Sequence, residues 1–135
     1  MMPPNFAFDN QFARLPKNFY TRLQPEGFSK QPFLVHGNAR AASLIGLDAS
    51  VFQDGRFIDF FSGKKIPDGA EPLASVYAGH QFGYFVPQLG DGRALLLGQV
   101  RDDQNQLWDI QLKGAGQTPY SRFADGRAVM RSTIR

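Results

Sequence analysis

Lys113 closes the run Leu107 to Lys113, in which Trp108, Ile110 and Leu112 alternate with Asp109, Gln111 and Lys113. Alternation at period two describes a strand, and it puts the ammonium group on the polar face, away from Trp108. Upstream, Gly90-Asp91-Gly92-Arg93 separates two strand-like runs. Glycine amides there would let phosphate oxygens approach without a side chain in the way, and Arg93 would add a charged fork. Each motif also has a plainer reading. Asp-Gly is the ordinary signature of a tight hairpin turn, and a lysine at a strand end is commonly just solvated.

The order of the pieces carries more than either motif. Strand, glycine turn, strand, strand, lysine and helix is the arrangement by which protein-kinase-like folds bring a lysine to nucleotide phosphates. After Gly114-Ala115-Gly116, Asp125 can cap a helix beginning near Gly126, or Asp125 and Gly126 can meet a nucleotide at the mouth of a cleft. Along that helix Val129, Met130, Thr133 and Ile134 make an inward stripe. Arg127, Arg131 and Arg135 make a second stripe, either solvated or facing anions. The stripe is still running at Arg135 without a stop signal, so the chain reads as the N-terminal part of something longer.

Other chemistries fall away. Gly114-x-Gly116 opens no Walker A loop, because the lysine precedes the glycines. No G-x-S-x-G occurs, and there is no cysteine for a thiolate nucleophile, zinc site or disulfide. His36 and His80 stand far apart without clustered acids, so no metal site is expected from this chain alone, and His80 reads as a hydrogen-bonded structural residue. Phe82-Gly83-Tyr84-Phe85-Val86 loosely resembles an RNA-stacking strand, but the preceding Lys/Arg-Gly is missing and the register is off by one. Core aromatics are the plainer reading, and nucleic acid is not an expected partner.

The elements that would position these residues are short. Asn38 can cap a helix through Ala39 to Ile45 that Gly46 stops, and a second helical stretch lies around Phe57 to Phe61 before Gly63. Pro67-Asp68-Gly69 forms a turn. Tyr84 to Gln88, Ala94 to Val100 and Leu107 to Lys113 read as strands whose short connections make antiparallel neighbours. Residues 1 to 35, with six phenylalanines, read as an extended strap laid over the core by its rings.

Of 135 residues, 36 are Leu, Ile, Val or Phe, enough for one core of ordinary domain size. The net charge of +3 is too mild to define a nucleic-acid binder. No apolar run approaches the roughly 20 residues of a membrane helix, and no leader is visible, so no membrane partner and a cytoplasmic location are expected.

The strings YAGHQFG (77 to 83), PQLGDGRALLLG (87 to 98), QLKGAGQTPYSR (111 to 122) and DGRAVMRSTIR (125 to 135), with FARLP and FYTR near the start, resemble the selenoprotein-O family, also called YdiU. The resemblance implies an α+β fold. Residues 1–70 would be an N-terminal extension with short helices. Residues 71–135 would be an incomplete protein-kinase-like N-terminal lobe, an antiparallel meander followed by an αC-like helix. It implies a protein adenylyltransferase, which moves AMP from ATP to protein hydroxyls with Mg²⁺ or Mn²⁺, holding ATP flipped relative to kinases. Gly90, Gly92 and Arg93 would then cradle the nucleotide, Lys113 would bind its phosphates, and Asp125 with Gly126 would complete the pocket. The family's catalytic base, metal ligands and the lysine's acidic partner would lie in a missing C-terminal part. The chain alone would therefore be inactive, its partners being ATP, protein substrates and that missing lobe. A non-catalytic kinase-like nucleotide-binding or interaction module is the alternative, and an RNA-binding domain using Phe82, Tyr84 and Phe85 is a weaker one.

Overall fold

A computed structural model describes residues 5–129. Its mixed α/β architecture is a five-stranded antiparallel sheet with two short helices and three 3-10 turns. The strands are β1 (Tyr20–Arg22), β2 (Leu73–Gln81), β3 (Tyr84–Gly90), β4 (Ala94–Arg101) and β5 (Leu107–Lys113). The order β1-β2-β4-β5 forms the main sheet, and β3 pairs with the far half of β2. The β2–β3 hairpin thus reaches beyond the others.

Helix α1 (Ala39–Leu44) starts where expected, the Asn38 side chain accepting from the Ala41 amide at 3.1 Å. Gly46, at φ +75°, supplies the left-handed stop that a β-carbon would penalise. Helix α2 (Gly55–Phe61) is capped by Asp54, and Gly63 ends it at φ +76°. Its buried face sets Phe57 against Phe61, with ring centroids 4.5 Å apart, and against Phe52. These rings, with Ala42, Leu47 and Val51, cover the sheet face formed by Leu95, Leu97, Ile110 and Leu112.

Strand β4 is buried on both faces. Leu96 points to the opposite side, where Ala13, Tyr20 and Leu73 close a smaller cluster. The strap builds part of each layer. Phe6 is buried in the main core, Phe8 bridges to Val100, and Phe12 packs on the smaller cluster. Phe19, Phe28 and Phe33 stay exposed, so only the first three rings act as expected. Asp9 locks the strap by accepting from Arg101 at 2.5 Å and from Arg14 at 3.0 Å. Arg101 foremost, then Gln11 and Arg14, hold the Asp9 carboxyl down at about 2.

Two expectations need correction. Strands β3 and β4 do not pair: β3 runs along β2, and β4 pairs with β2 and β5. Gly90-Asp91-Gly92 is therefore a corner between the hairpin and the main sheet, not a tight hairpin turn. The helix expected near Gly126 also does not start there. Gly126 sits at φ +73° and the chain through Val129 is irregular, because the Asp125 carboxylate accepts from the Arg127 amide two residues on and makes a local turn. Met130, Arg131, Thr133, Ile134 and Arg135 lie outside the described residues.

Candidate functional site

Strands β4 and β5 carry the lysine to the glycine corner. Their register sets Ala94 opposite Lys113 and Leu95 opposite Leu112. Cross-strand partners share a face, so Lys113 lies on the side opposite the buried Leu95–Leu112 pair. The Gly114 amide donates to the Arg93 carbonyl at 2.6 Å, which ties the lysine strand to the last residue of the corner. Lys113 and Arg93 are both exposed, and among the described residues neither side chain has a hydrogen-bond or ion-pair partner. The Gly92 and Arg93 amides likewise donate to no described residue. Two free amides and two free cations at one corner can receive an anion.

The rest of the corner is bound from behind. The Asp91 amide donates to the Ser75 carbonyl, and its carboxylate accepts from the Ser75 amide at 2.9 Å and hydroxyl at 2.7 Å. The Thr118 hydroxyl donates to the Asp91 carbonyl at 2.5 Å, and the Ser121 hydroxyl to the Gly92 carbonyl at 2.6 Å. The Tyr120 ring lies on Gly90, where a β-carbon would sit 2.5 Å from its Cδ2. Tyr120 and Thr21 share a hydrogen bond of 2.7 Å. Carbonyls that would repel a phosphate are occupied by hydroxyls, while the amides of Gly92 and Arg93 remain available.

Asp125 and Gly126 stand at the end of the same segment. Gly126 is buried, and a β-carbon there would overlap the Gly116 carbonyl, so its glycine is required by the protein's own backbone. Asp125 is exposed and engaged with the Arg127 amide. Arg127 is neither solvated nor waiting for a phosphate. It donates to the carbonyls of Glu26, Gly27 and Gly114 and lies 5.0 Å from the Phe28 ring centroid. The structure thus brings Gly90, Gly92, Arg93 and Lys113 to one corner and links Asp125 and Gly126 to it through the Gly114–Ser121 segment.

Sequence reasoning passed over Ser75, Thr118, Tyr120, Ser121 and Thr21. The one available signal was the concentration of hydroxyls in Thr118-Pro119-Tyr120-Ser121, read only as a turn. The His80 ring packs T-shaped against Phe85, centroids 5.7 Å apart, and among the described residues its side chain has no hydrogen-bond partner. Among the described residues no group of three or more His, Asp or Glu side chains is arranged to hold a metal ion, and no helix is long and apolar enough to cross a membrane.

Comparison with known proteins places these features. The family model described as Protein adenylyltransferase SelO matches residues 4–135. A Protein nucleotidyltransferase YdiU from Rhizobium meliloti is 58% identical over 131 residues, covering 96% of this chain and 26% of the relative. The protein of that name from Dechloromonas aromatica is 54% identical, covering 99% of this chain and 27% of its own length. That from Stutzerimonas stutzeri is 52% identical, covering 95% and 26%. The chain spans about a quarter of the curated relatives it matches. With the match running through strap, sheet and glycine corner alike, the chain belongs to the SelO family of protein adenylyltransferases.

Proposed function

We propose that this chain supplies the nucleotide-gripping part of a protein adenylyltransferase, built as a kinase-like N-terminal lobe. The observation that carries the reading is the register placing Lys113 opposite Ala94, next to a corner whose Gly92 and Arg93 amides and Arg93 guanidinium are all free. Gly90 and Gly92 let the corner fold against Tyr120 beside the nucleotide, the Gly92 and Arg93 amides with the Arg93 and Lys113 cations grip the triphosphate, and Asp125 with Gly126 close the pocket's edge. In the transfer an acceptor hydroxyl oxygen bonds to the α-phosphorus of ATP, the bond to the bridging oxygen breaks, and pyrophosphate leaves. The fixed cations stabilise the charge moving onto that leaving group. A divalent cation, Mg²⁺ or Mn²⁺, would be held by residues beyond this chain, as would the base that takes the hydroxyl proton, and the chain alone gives no turnover.

The test uses a full-length protein carrying this segment and ATP labelled on either the α- or the γ-phosphate. Label from the α-position should stay on the acceptor protein and γ-label should leave as pyrophosphate. Lys113→Ala and Arg93→Ala should each weaken ATP binding. Retained γ-label would indicate phosphorylation, and unchanged ATP affinity in both variants would remove the grip from this corner. ATP binding that depends on Lys113 without any transfer would favour the non-catalytic module.

A further inference from the structure

Beside the glycine corner, between the β2–β3 hairpin and the Pro119–Arg122 segment, lies an open groove of about 570 Å³. Tyr77, Gln81, Gln88, Gly90, Tyr120 and Arg122 line it. Among the described residues three non-glycine residues have positive φ, and two of them flank this groove: Phe82 at +54° and Arg122 at +58°. The third, Asn105, is of the type that tolerates that conformation, whereas Phe and Arg do so at a cost. Two features sit at these positions. Phe82, at the hairpin tip, is 87% exposed, and the neighbouring Tyr84 and Phe85 are 76% and 63% exposed. Arg122 donates to Gln81 across the groove at 2.9 Å, and Phe123 after it is fully exposed. Phe82, Tyr84 and Phe85, whose plainer reading was core aromatics, are therefore surface residues. A hairpin tip needs Asn or Gly, not Phe, so turn formation does not account for the residue at 82.

Charge narrows what fits. Residues 73–90 contain no Asp, Glu, Lys or Arg, and among the described residues Arg122 is the one charged residue lining the groove. A nucleic acid would require several cations along its path, and they are absent from these residues. Two side-chain amides can pair with a peptide backbone, rings on the rim can take apolar side chains, and one guanidinium can take a carboxylate. The groove shares Gly90 with the corner, so a segment lying in it ends beside the nucleotide site. We propose that the groove docks an extended segment of the acceptor protein, one that carries a carboxylate next to apolar residues. This rests on the transfer reading above, since it names the partner of the same site.

The experiment titrates a full-length protein carrying this segment with two fluorescein-labelled peptides, one of Glu, Leu, Ser and Tyr, the other with every Glu replaced by Lys. The acidic peptide should bind and the basic one should not. Arg122→Glu should weaken the acidic peptide by about tenfold or more and let the basic one bind. Phe82→Asn should weaken the acidic peptide by about fivefold while keeping the turn, because Asn accepts the left-handed conformation. Equal affinity for both peptides, or displacement of the peptide by ATP in direct competition, would overturn the proposal. So would hydrogen exchange showing residues 77–88 covered by the rest of the full-length chain in the absence of peptide. ATP affinity of the same variants is measured in parallel and should stay unchanged. Lys113→Ala tests the nucleotide reading separately, so a failure there is distinguishable from a failure of the groove.

Discussion

Substituting Gly90 by alanine separates two reasons for a glycine at that corner. The backbone at Gly90 lies outside the left-handed region, so a β-carbon strains nothing locally. What it meets is Tyr120, with Cδ2 at 2.5 Å and Cδ1 at 2.8 Å. Ordinary carbon contacts begin near 3.5 Å, so the ring must withdraw by roughly 1 Å. Overpacking of this kind costs about 1–3 kcal/mol. Displacing the ring also breaks the Tyr120–Thr21 hydrogen bond, worth about 1 kcal/mol. Gly90→Ala should therefore destabilise by about 2–4 kcal/mol.

In a Tyr120→Ala background the obstacle is gone. The same substitution then only restricts the unfolded chain, and it should be neutral or stabilise by up to about 1 kcal/mol. The sign of the effect thus reverses with the partner. Urea unfolding followed through Trp108, the chain's single tryptophan, measures all four corners of the cycle. An equal cost of Gly90→Ala in both backgrounds would refute the contact argument, and no cost in either would reserve Gly90 for a ligand.

Other consequences follow from the same geometry. Asp9 is held at about 2 against an ordinary 3.8, so its contribution is fully present above the ordinary value and is lost as pH falls toward 2. Asp9→Asn should flatten that acid limb of the stability profile, read by melting temperature between pH 5 and 2. Gly126→Ala combines a left-handed conformation with overlap on the Gly116 carbonyl, and should cost at least about 2 kcal/mol and reduce soluble yield. Phe6→Ala removes a ring buried against Phe8, Phe60 and Phe61, and should cost about 3–5 kcal/mol in urea unfolding.

Local rules recovered the elements that carry their own signals. Asn38 and Gly46 bracket α1, and the alternation from Trp108 to Lys113 matches the burial of β5 residue by residue. Strand β2 went unread because Leu73–Gln81 has no period-two pattern. Ala78, Gly79 and His80 break it, and the strand exists because β1, β3 and β4 pair with it. The corner was legible as a glycine turn and misread in its connectivity. Nothing local in Gly90-Asp91-Gly92 says that Asp91 binds Ser75 or that Tyr120 wedges against Gly90, since both contacts come from residues at least 15 positions away. Asp125 failed as a helix start for the opposite reason. Its carboxylate found the Arg127 amide within two residues, and a glycine in the left-handed region turned the chain before a helical turn could close.

The glycines themselves show why residue type alone cannot locate a ligand site. Gly98 makes room for Phe8 and Asn10, Gly116 for Glu26, Gly114 for Ala128, and Gly90 for Tyr120. Each absence of a side chain is explained by the protein's own packing, so none of these residues by itself argues for a nucleotide. The argument rests on what packing leaves unused. At the corner the carbonyls of Asp91 and Gly92 are taken by Thr118 and Ser121, while the amides of Gly92 and Arg93 and the cations Arg93 and Lys113 are not taken by any described residue. Packing that satisfies acceptors and spares donors on one turn leaves a net positive field there, which is the condition for holding a polyanion. Thr118→Val combined with Ser121→Ala would free those carbonyls without adding charge. ATP affinity should fall although Lys113 and Arg93 remain, and undiminished affinity would mean that the two side chains grip the phosphates without the backbone's help.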